Sequence, residues 1–309
     1  MPRAFAKVIL FGEHAVVHGR TAFAAALDRG ATSSGRRVEG ASRLDLRAWN
    51  KVVFEGQADD DVARAFGAVL AEVGGDGAVD VTIDVQVPGG AGLGCSAAIA
   101  VALARAIAEA RGVALDDRRA AECANAWERV FHGNPSGVDG AVAAHGGVIK
   151  FRRGEASIHP VVPGGVMELC VGYTGEPSST KSMVESVARQ LARRPEVVER
   201  TFDGIDTLAI KAAEAIKAGR WYEVGQMMDL NHALLTSLMV STESLERICH
   251  AARDAGAMGA KLTGGGGGGC AIALAPGKTD AVLAAWKGIG IEGFVARIGS
   301  PIVSREAMP

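Results

Sequence analysis

The 309-residue chain is short of the features that mark secreted, metal-structured or nucleic-acid-binding proteins. Its five cysteines (Cys95, Cys123, Cys170, Cys249, Cys270) are scattered, odd in number and without a CxxC pair. That argues against a disulfide framework and a structural zinc site, and a reducing cytosol is the expected compartment. Charge of one sign is lacking as well: the net charge is -2, which argues against nucleic acid or an anionic membrane as the main partner. No apolar run reaches the roughly 18 residues of a membrane span, and Lys7, Glu13 and His14 interrupt any signal-peptide core. The one Gly-Lys-Ser/Thr tripeptide is Gly277-Lys278-Thr279, and Ile272 stands five positions before it where a Walker A loop needs glycine, so there is no Walker A loop. In the loop from Gly90, GxGxxG fails at Cys95, and Glu13 precedes His14 where HExxH would require the reverse. No internal repeat is present.

What remains is a globular chain with 48% hydrophobic residues and 41 glycines, long enough for one large or two modest domains. The glycines cluster, and the densest informative cluster is Pro88, Gly89, Gly90, Ala91, Gly92, Leu93, Gly94, Cys95, Ser96 and Ala97. A run of strong helix formers follows to Ala110. Glycines fold tightly and turn several N–H groups toward one point, and a helix start favours negative charge. The stretch therefore reads either as a phosphate cradle or as a plain turn before a core helix. Val79 to Val87 alternates apolar and polar residues and runs into it, so the loop sits at a strand-to-helix junction.

Along the chain, Ala4 to Phe11 reads as a strand carrying Lys7, which either points to solvent from an edge or meets an anion inside. An apolar run continues to Leu27, and residues 38–56 read as a two-stranded meander. Helices are predicted over 61–73 and 116–131. Glu128 lies near the end of the second, where a carboxylate is disfavoured without a positive neighbour. Ser136 to Asp139 is a near-match to a capping box, so Asp139 could serve only a backbone N–H. Strands follow at 148–151 and 168–173, then three or four helices between Ser182 and Gly256. Six glycines, Gly264 to Gly269, are read as joining a helix directly to an apolar strand at 270–275. A helix over 280–287 and a strand over 293–298 complete the pattern. The change from alternating strands to helices divides the chain into residues 1–164 and 165–309.

A phosphate loop, a glycine apron, a strand lysine, two carboxylates and a hydroxyl at the loop's end form the parts list of phosphoryl transfer. Three segments carry a family resemblance: KVILFGEH from Lys7, PGGAGLGCSA from Pro88 and KLTGGGGGGC from Lys261. In order and spacing they resemble the three motifs of the GHMP small-molecule kinases. Together with the ERVFHGNPSGVDGAV stretch from Glu128, they resemble the mevalonate kinases among them. The resemblance implies a two-domain α+β fold, its N-terminal half like the ribosomal protein S5 domain and its C-terminal half ferredoxin-like, with the site between. It further implies ATP- and Mg²⁺-dependent phosphorylation of the primary hydroxyl of mevalonate, with another GHMP kinase or a silent nucleotide sensor as alternatives. A homodimer is usual among relatives, and neither nucleic acid nor membrane is an implied partner.

By the same resemblance, Asp139 and Lys7 are the catalytic pair, Ser96 and Glu128 the Mg²⁺ ligands, and residues 88–97 the ATP-phosphate loop. Gly264, Gly265, Gly266 and Gly267 support that loop, while Glu13, His14 and Thr180 lie on the substrate side. This chain departs from the family pattern in three places: Phe5-Ala6 replaces Pro-Gly before Lys7, Cys95 replaces a serine, and Gly140 stands where asparagine is common. None of these removes a required charge. For the adenine pocket the sequence offers only Trp49 and the strand from Lys51.

Overall fold

A computed structural model describes residues 3–132, 137–154 and 159–299. The N-terminal part comprises β1 (Arg3–Phe11), β2 (Thr21–Val38), β3 (Arg43–Leu46), β4 (Lys51–Phe54), α1 (Asp61–Val73) and β5 (Ala78–Val85). It continues through α2 (Cys95–Arg111), α3 (Asp117–His132), α4 (Val138–His145), β6 (Val148–Arg152) and β7 (His159–Val161). Its seven strands form one sheet in the order β4-β3-β5-β2-β6-β7, with β1 also paired to β2. The apolar run to Leu27 is only the first half of β2, which extends 18 residues and pairs with β1, β5 and β6 in turn.

The second part holds β8 (Met167–Tyr173), α5 (Thr180–Arg193), α6 (Pro195–Lys217), α7 (Trp221–Ser237), α8 (Glu243–Asp254), β9 (Gly259–Thr263), β10 (Cys270–Leu274), α9 (Thr279–Gly288) and β11 (Glu292–Ile298). Its antiparallel sheet runs β11-β8-β10-β9, the strand order of a ferredoxin-like fold. The mixed α+β architecture is therefore as expected. One local expectation is corrected: the six glycines do not follow a helix but close a hairpin between β9 and β10. The Gly259–Thr263 strand is too short, and its lysine too polar, to stand out in the sequence. Ser136, half of the near-match to a capping box, lies outside the described residues.

Local chemistry explains the elements that frame the site. Asp60 caps α1 by accepting from the backbone N–H groups of Val62 and Ala63. α2 is alanine-rich and buried on nearly every face, so it is fixed in the core and its N-terminus is the end that reaches the cavity. Gly35 of β2 permits the close approach, since a Cβ there would sit 2.7 Å from the Ala106 carbonyl oxygen. The two halves meet along α6, where Arg20 pairs with Glu199 and Asp203 and the His18 ring stacks on Phe202 at 4.6 Å. The Thr21 N–H donates to Asp206 Oδ1 at 2.7 Å across the same seam. Among the described residues, no helix is long and apolar enough to cross a membrane.

Gly35→Ala tests the strand–helix fit. The added methyl group overpacks the β2–α2 contact and is expected to cost about 1–3 kcal/mol in chemical denaturation. An unchanged midpoint would mean that α2 yields more easily than its burial implies.

Candidate active site

A cavity of about 570 Å³ opens where the two halves meet. Gly89, Gly90, Gly92 and Gly94 with Cys95, Ser96 and Ala97 form one wall, and Gly264 and Gly265 approach from the other half. Within the first glycine loop, Ala91 and Leu93 turn inward and are buried, while Pro88 is exposed and off the cavity wall. The inward pair anchors the loop and leaves its glycines facing the cavity. Gly94 stands just before α2 with φ 69°, a left-handed conformation that glycine adopts freely. A Cβ on Gly94 would also press on the Lys7 stem, at 2.8 Å from its Cγ.

Lys7 is 3% exposed, which excludes the solvent-facing alternative. The β1–β2 register shifts between Phe5 and Lys7, as bulged pairings do when they re-aim a residue. The Lys7 N–H donates to the Leu93 carbonyl at 2.9 Å, and its Nζ lies 3.1 Å from Asp139 Oδ1. Asp139 sits in the first turn of α4, where the helix dipole favours a carboxylate. Ser96 donates from Oγ to Glu128 Oε1 at 2.5 Å, and the Trp127 indole N–H donates to Ser96 Oγ at 3.0 Å. Trp127 has no part in the sequence reading; as an aromatic on a helix, it carries only the signal of a core residue. Burial, and secondarily Glu128, pushes the Cys95 thiol up to about 11, so at neutral pH it is a small neutral group.

His14 and Thr180 line the same cavity, as do Trp49 and Lys181. His14 is the centre of a γ-turn: its φ is 60° and ψ -49°, and the Ala15 N–H donates to the Glu13 carbonyl at 2.7 Å. This is the strained form of that turn. His14 Nε2 faces the Gly265 carbonyl oxygen at 2.8 Å, so that nitrogen is the donor. Burial holds the imidazole below its ordinary pKa, the Gly265 carbonyl opposing.

Glu13 does not line the cavity. Its side chain is fully buried in an ion pair with Lys261, also fully buried, and accepts from Asn231 Nδ2 at 3.2 Å. Lys261 Nζ donates onward to the Leu262 carbonyl at 2.8 Å. Burial lowers the Lys261 pKa, against the raising effect of Glu13. The sequence pattern gives Lys261 no role, because the short segment around it does not read as a strand as the segment around Lys7 does.

The glycine hairpin is laid against the first loop. Gly264 and Gly269 approach the Gly92 and Ala91 carbonyl oxygens so closely that a Cβ would stand 3.3 and 3.1 Å from them. Ser178 clamps both loops, its N–H donating to Gly90 O at 3.0 Å and its hydroxyl to Gly266 O at 2.5 Å. Gly266 and Gly267 lie behind the wall: the Gly267 N–H donates to Val240 O at 2.7 Å. Among the described residues, no cluster of three or more His, Cys, Asp and Glu side chains is arranged to hold a metal.

Two family models match the chain, GHMP kinases N terminal domain over residues 60–147 and GHMP kinases C terminal over residues 212–290. A mevalonate kinase of Pyrococcus abyssi is 37% identical, the match covering 96% of each chain. One from Thermococcus sibiricus is 36% identical over 97% of this chain and 94% of its own. Among solved structures, L. major mevalonate kinase in complex with R-mevalonate superposes with a TM-score of 0.84 at 29% identity. That match covers 96% of this chain and 95% of the other.

The buried pair generates a stability test. Lys261→Met strands the Glu13 carboxylate in the interior and is expected to cost about 3–5 kcal/mol in denaturant unfolding. Glu13→Gln combined with Lys261→Met should recover most of that loss. A double variant as unstable as the single one would show that the loss does not come from the stranded carboxylate.

Proposed function

The chain belongs to the mevalonate kinase family of the GHMP kinases, and on that premise we propose that it transfers the γ-phosphoryl group of ATP to the primary hydroxyl of mevalonate. The observation that carries the reading is the Lys7–Asp139 pair at 3.1 Å, set in a cavity whose opposite wall is a glycine loop at a helix start. Neither a sugar kinase nor a silent nucleotide sensor is favoured. The two relatives named above match over nearly the full chain, and a sensor has no need of the ion pair.

The proposed roles follow from the chemistry of each group. N–H groups of residues 89–96 and the positive end of α2 hold the triphosphate. Asp139 accepts the hydroxyl proton as the acceptor oxygen bonds to the γ-phosphorus and the bond to the β,γ-bridging oxygen breaks, releasing ADP. Lys7, beside that carboxylate, offsets negative charge on the acceptor oxygen and on the transferring group. Its backbone bond to Leu93 keeps this ammonium in register with the loop. His14 and Thr180 hold the acceptor, and Glu13 acts on it through the turn that presents His14.

Kinase chemistry of this class uses Mg²⁺. Ser96 Oγ and Glu128 Oε1, 2.5 Å apart, are a hard-oxygen pair suited to an ion that keeps most of its waters. Bound there, Mg²⁺ would neutralise charge on the β- and γ-phosphates. Trp127 fixes the serine hydroxyl, and Glu128, awkward at a helix end by itself, becomes a ligand in this reading.

The test is ADP release from ATP and Mg²⁺ with mevalonate, phosphomevalonate, galactose and homoserine offered separately. Turnover confined to mevalonate is expected; turnover with another acceptor alone would overturn the substrate assignment. In the same assay Asp139→Asn should lower kcat by about 10²–10⁴-fold while ATP affinity stays within a few-fold. Undiminished turnover would remove Asp139 as the base. Ser96→Ala should raise the Mg²⁺ concentration for half-maximal activity, and an unmoved Mg²⁺ titration would take Ser96 out of the metal site.

A further inference from the structure

Four charged side chains line the cavity among the described residues: Lys7, Glu128, Asp139 and Lys181. Three are engaged, Lys7 with Asp139 and Glu128 with Ser96. Lys181 forms no hydrogen bond or ion pair with another described residue, Glu185 one turn along included.

Lys181 is exposed at the cavity wall, so its ammonium is hydrated there and open to a ligand. Lys181 is the second residue of α5, whose first turn contains no acidic side chain. A helix start carries partial positive charge and disfavours a cation. Ser179 caps the helix by accepting from the Ser182 N–H at 3.3 Å, which quiets one backbone donor and supplies no negative charge. An ammonium and a helix start of the same sign, side by side on a cavity wall, suit an anion brought in from outside.

Which anion is decided by the side of the cavity that α5 occupies. A Cβ on Gly265 would lie 3.0 Å from Thr180 Cα, and the Gly265 carbonyl is the acceptor of the His14 ring. Thr180 therefore stands against the His14 wall, although Ser178 before it is bonded to Gly90 of the phosphate loop. Val16, Val17 and Val184 line the cavity too, and offer apolar surface to a branched carbon chain. Mevalonate carries its reactive hydroxyl at one end and a carboxylate at the other, with a methyl-bearing carbon between. An acceptor hydroxyl placed at Asp139 leaves that carboxylate in need of a cation that Lys7 does not provide.

We propose that Lys181 binds the acceptor's carboxylate and so determines specificity for a hydroxy acid over a neutral alcohol. This rests on the reading of the reaction given above.

The test uses the full chain with Lys181→Gln and Lys181→Arg, varying mevalonate and ATP in turn. A second acceptor, the triol in which a hydroxymethyl group replaces the carboxylate, reports on the charge itself. Lys181→Gln is expected to raise the KM for mevalonate by about 10- to 100-fold, the range for a charged hydrogen bond. The KM for ATP should stay within about two-fold, and Lys181→Arg should restore most of the loss. The preference for mevalonate over the triol should shrink in Lys181→Gln by a similar factor. A mevalonate KM that does not move, or an ATP KM that rises in its place, would overturn the proposal and, in the second case, give the lysine to the nucleotide. Wild-type protein that turns over no mevalonate would instead overturn the reading of the reaction, and this inference with it.

Discussion

The buried ion pair between Glu13 and Lys261 is the constraint on which the rest of the cavity depends. It joins the turn after β1 to β9, residues 248 positions apart in the chain, across the junction of the two halves. The turn it holds is the strained γ-turn centred on His14, a conformation that persists only where its surroundings over-determine it. Here they do so twice, through the carboxylate before His14 and through the His14 ring bound to Gly265. Both restraints end on the β9–β10 hairpin. The glycine hairpin that backs the phosphate loop thus also fixes the wall facing it, and the two walls share one frame.

Charge within that frame is arranged in pairs at graded depth. Glu13 and Lys261 are sealed from solvent, so their attraction operates at low dielectric and shapes the backbone. Lys7 and Asp139 stand at the cavity surface: the lysine is buried and the aspartate 36% exposed. That difference suits a carboxylate that must meet an incoming hydroxyl and an ammonium that must not wander. Ser96 and Glu128 form the third pair, stiffened by the Trp127 indole. The cysteine between the glycine loop and Ser96 adds no charge, so the replacement of serine there leaves the electrostatic pattern intact.

Much of the fold was legible because local chemistry and tertiary packing agree. α1 spans Asp61–Val73, the residues its periodicity predicts, since Asp60 caps it and Gly74 ends it. α2 and the strand before it could be read for the same reason. β9 was missed because five residues with a central lysine carry no strand signal by themselves; their strand character comes from pairing with β10. α4 was also missed, a helix of only eight residues with a glycine inside it and Gly146-Gly147 directly after it. In the site, positions set by local pattern were readable: the loop glycines, the hydroxyl at the helix start, the lysine in an apolar strand. Glu13 was not. Nothing within its own segment tells a carboxylate facing substrate from one facing Lys261, because its partner is remote in sequence.

α2 is enclosed on nearly every face by the core, and this governs how molecules come and go. A helix packed in that way cannot retreat to admit a nucleotide or recoil to release a spent one without unpacking the domain around it. The opposite lip, the segment from Ser178 to Lys181, is tied to the phosphate loop and the glycine hairpin by the two hydrogen bonds of Ser178. Two such bonds are a light latch beside a buried helix. An opening made at that lip would leave the phosphate cradle and its buried helix in place.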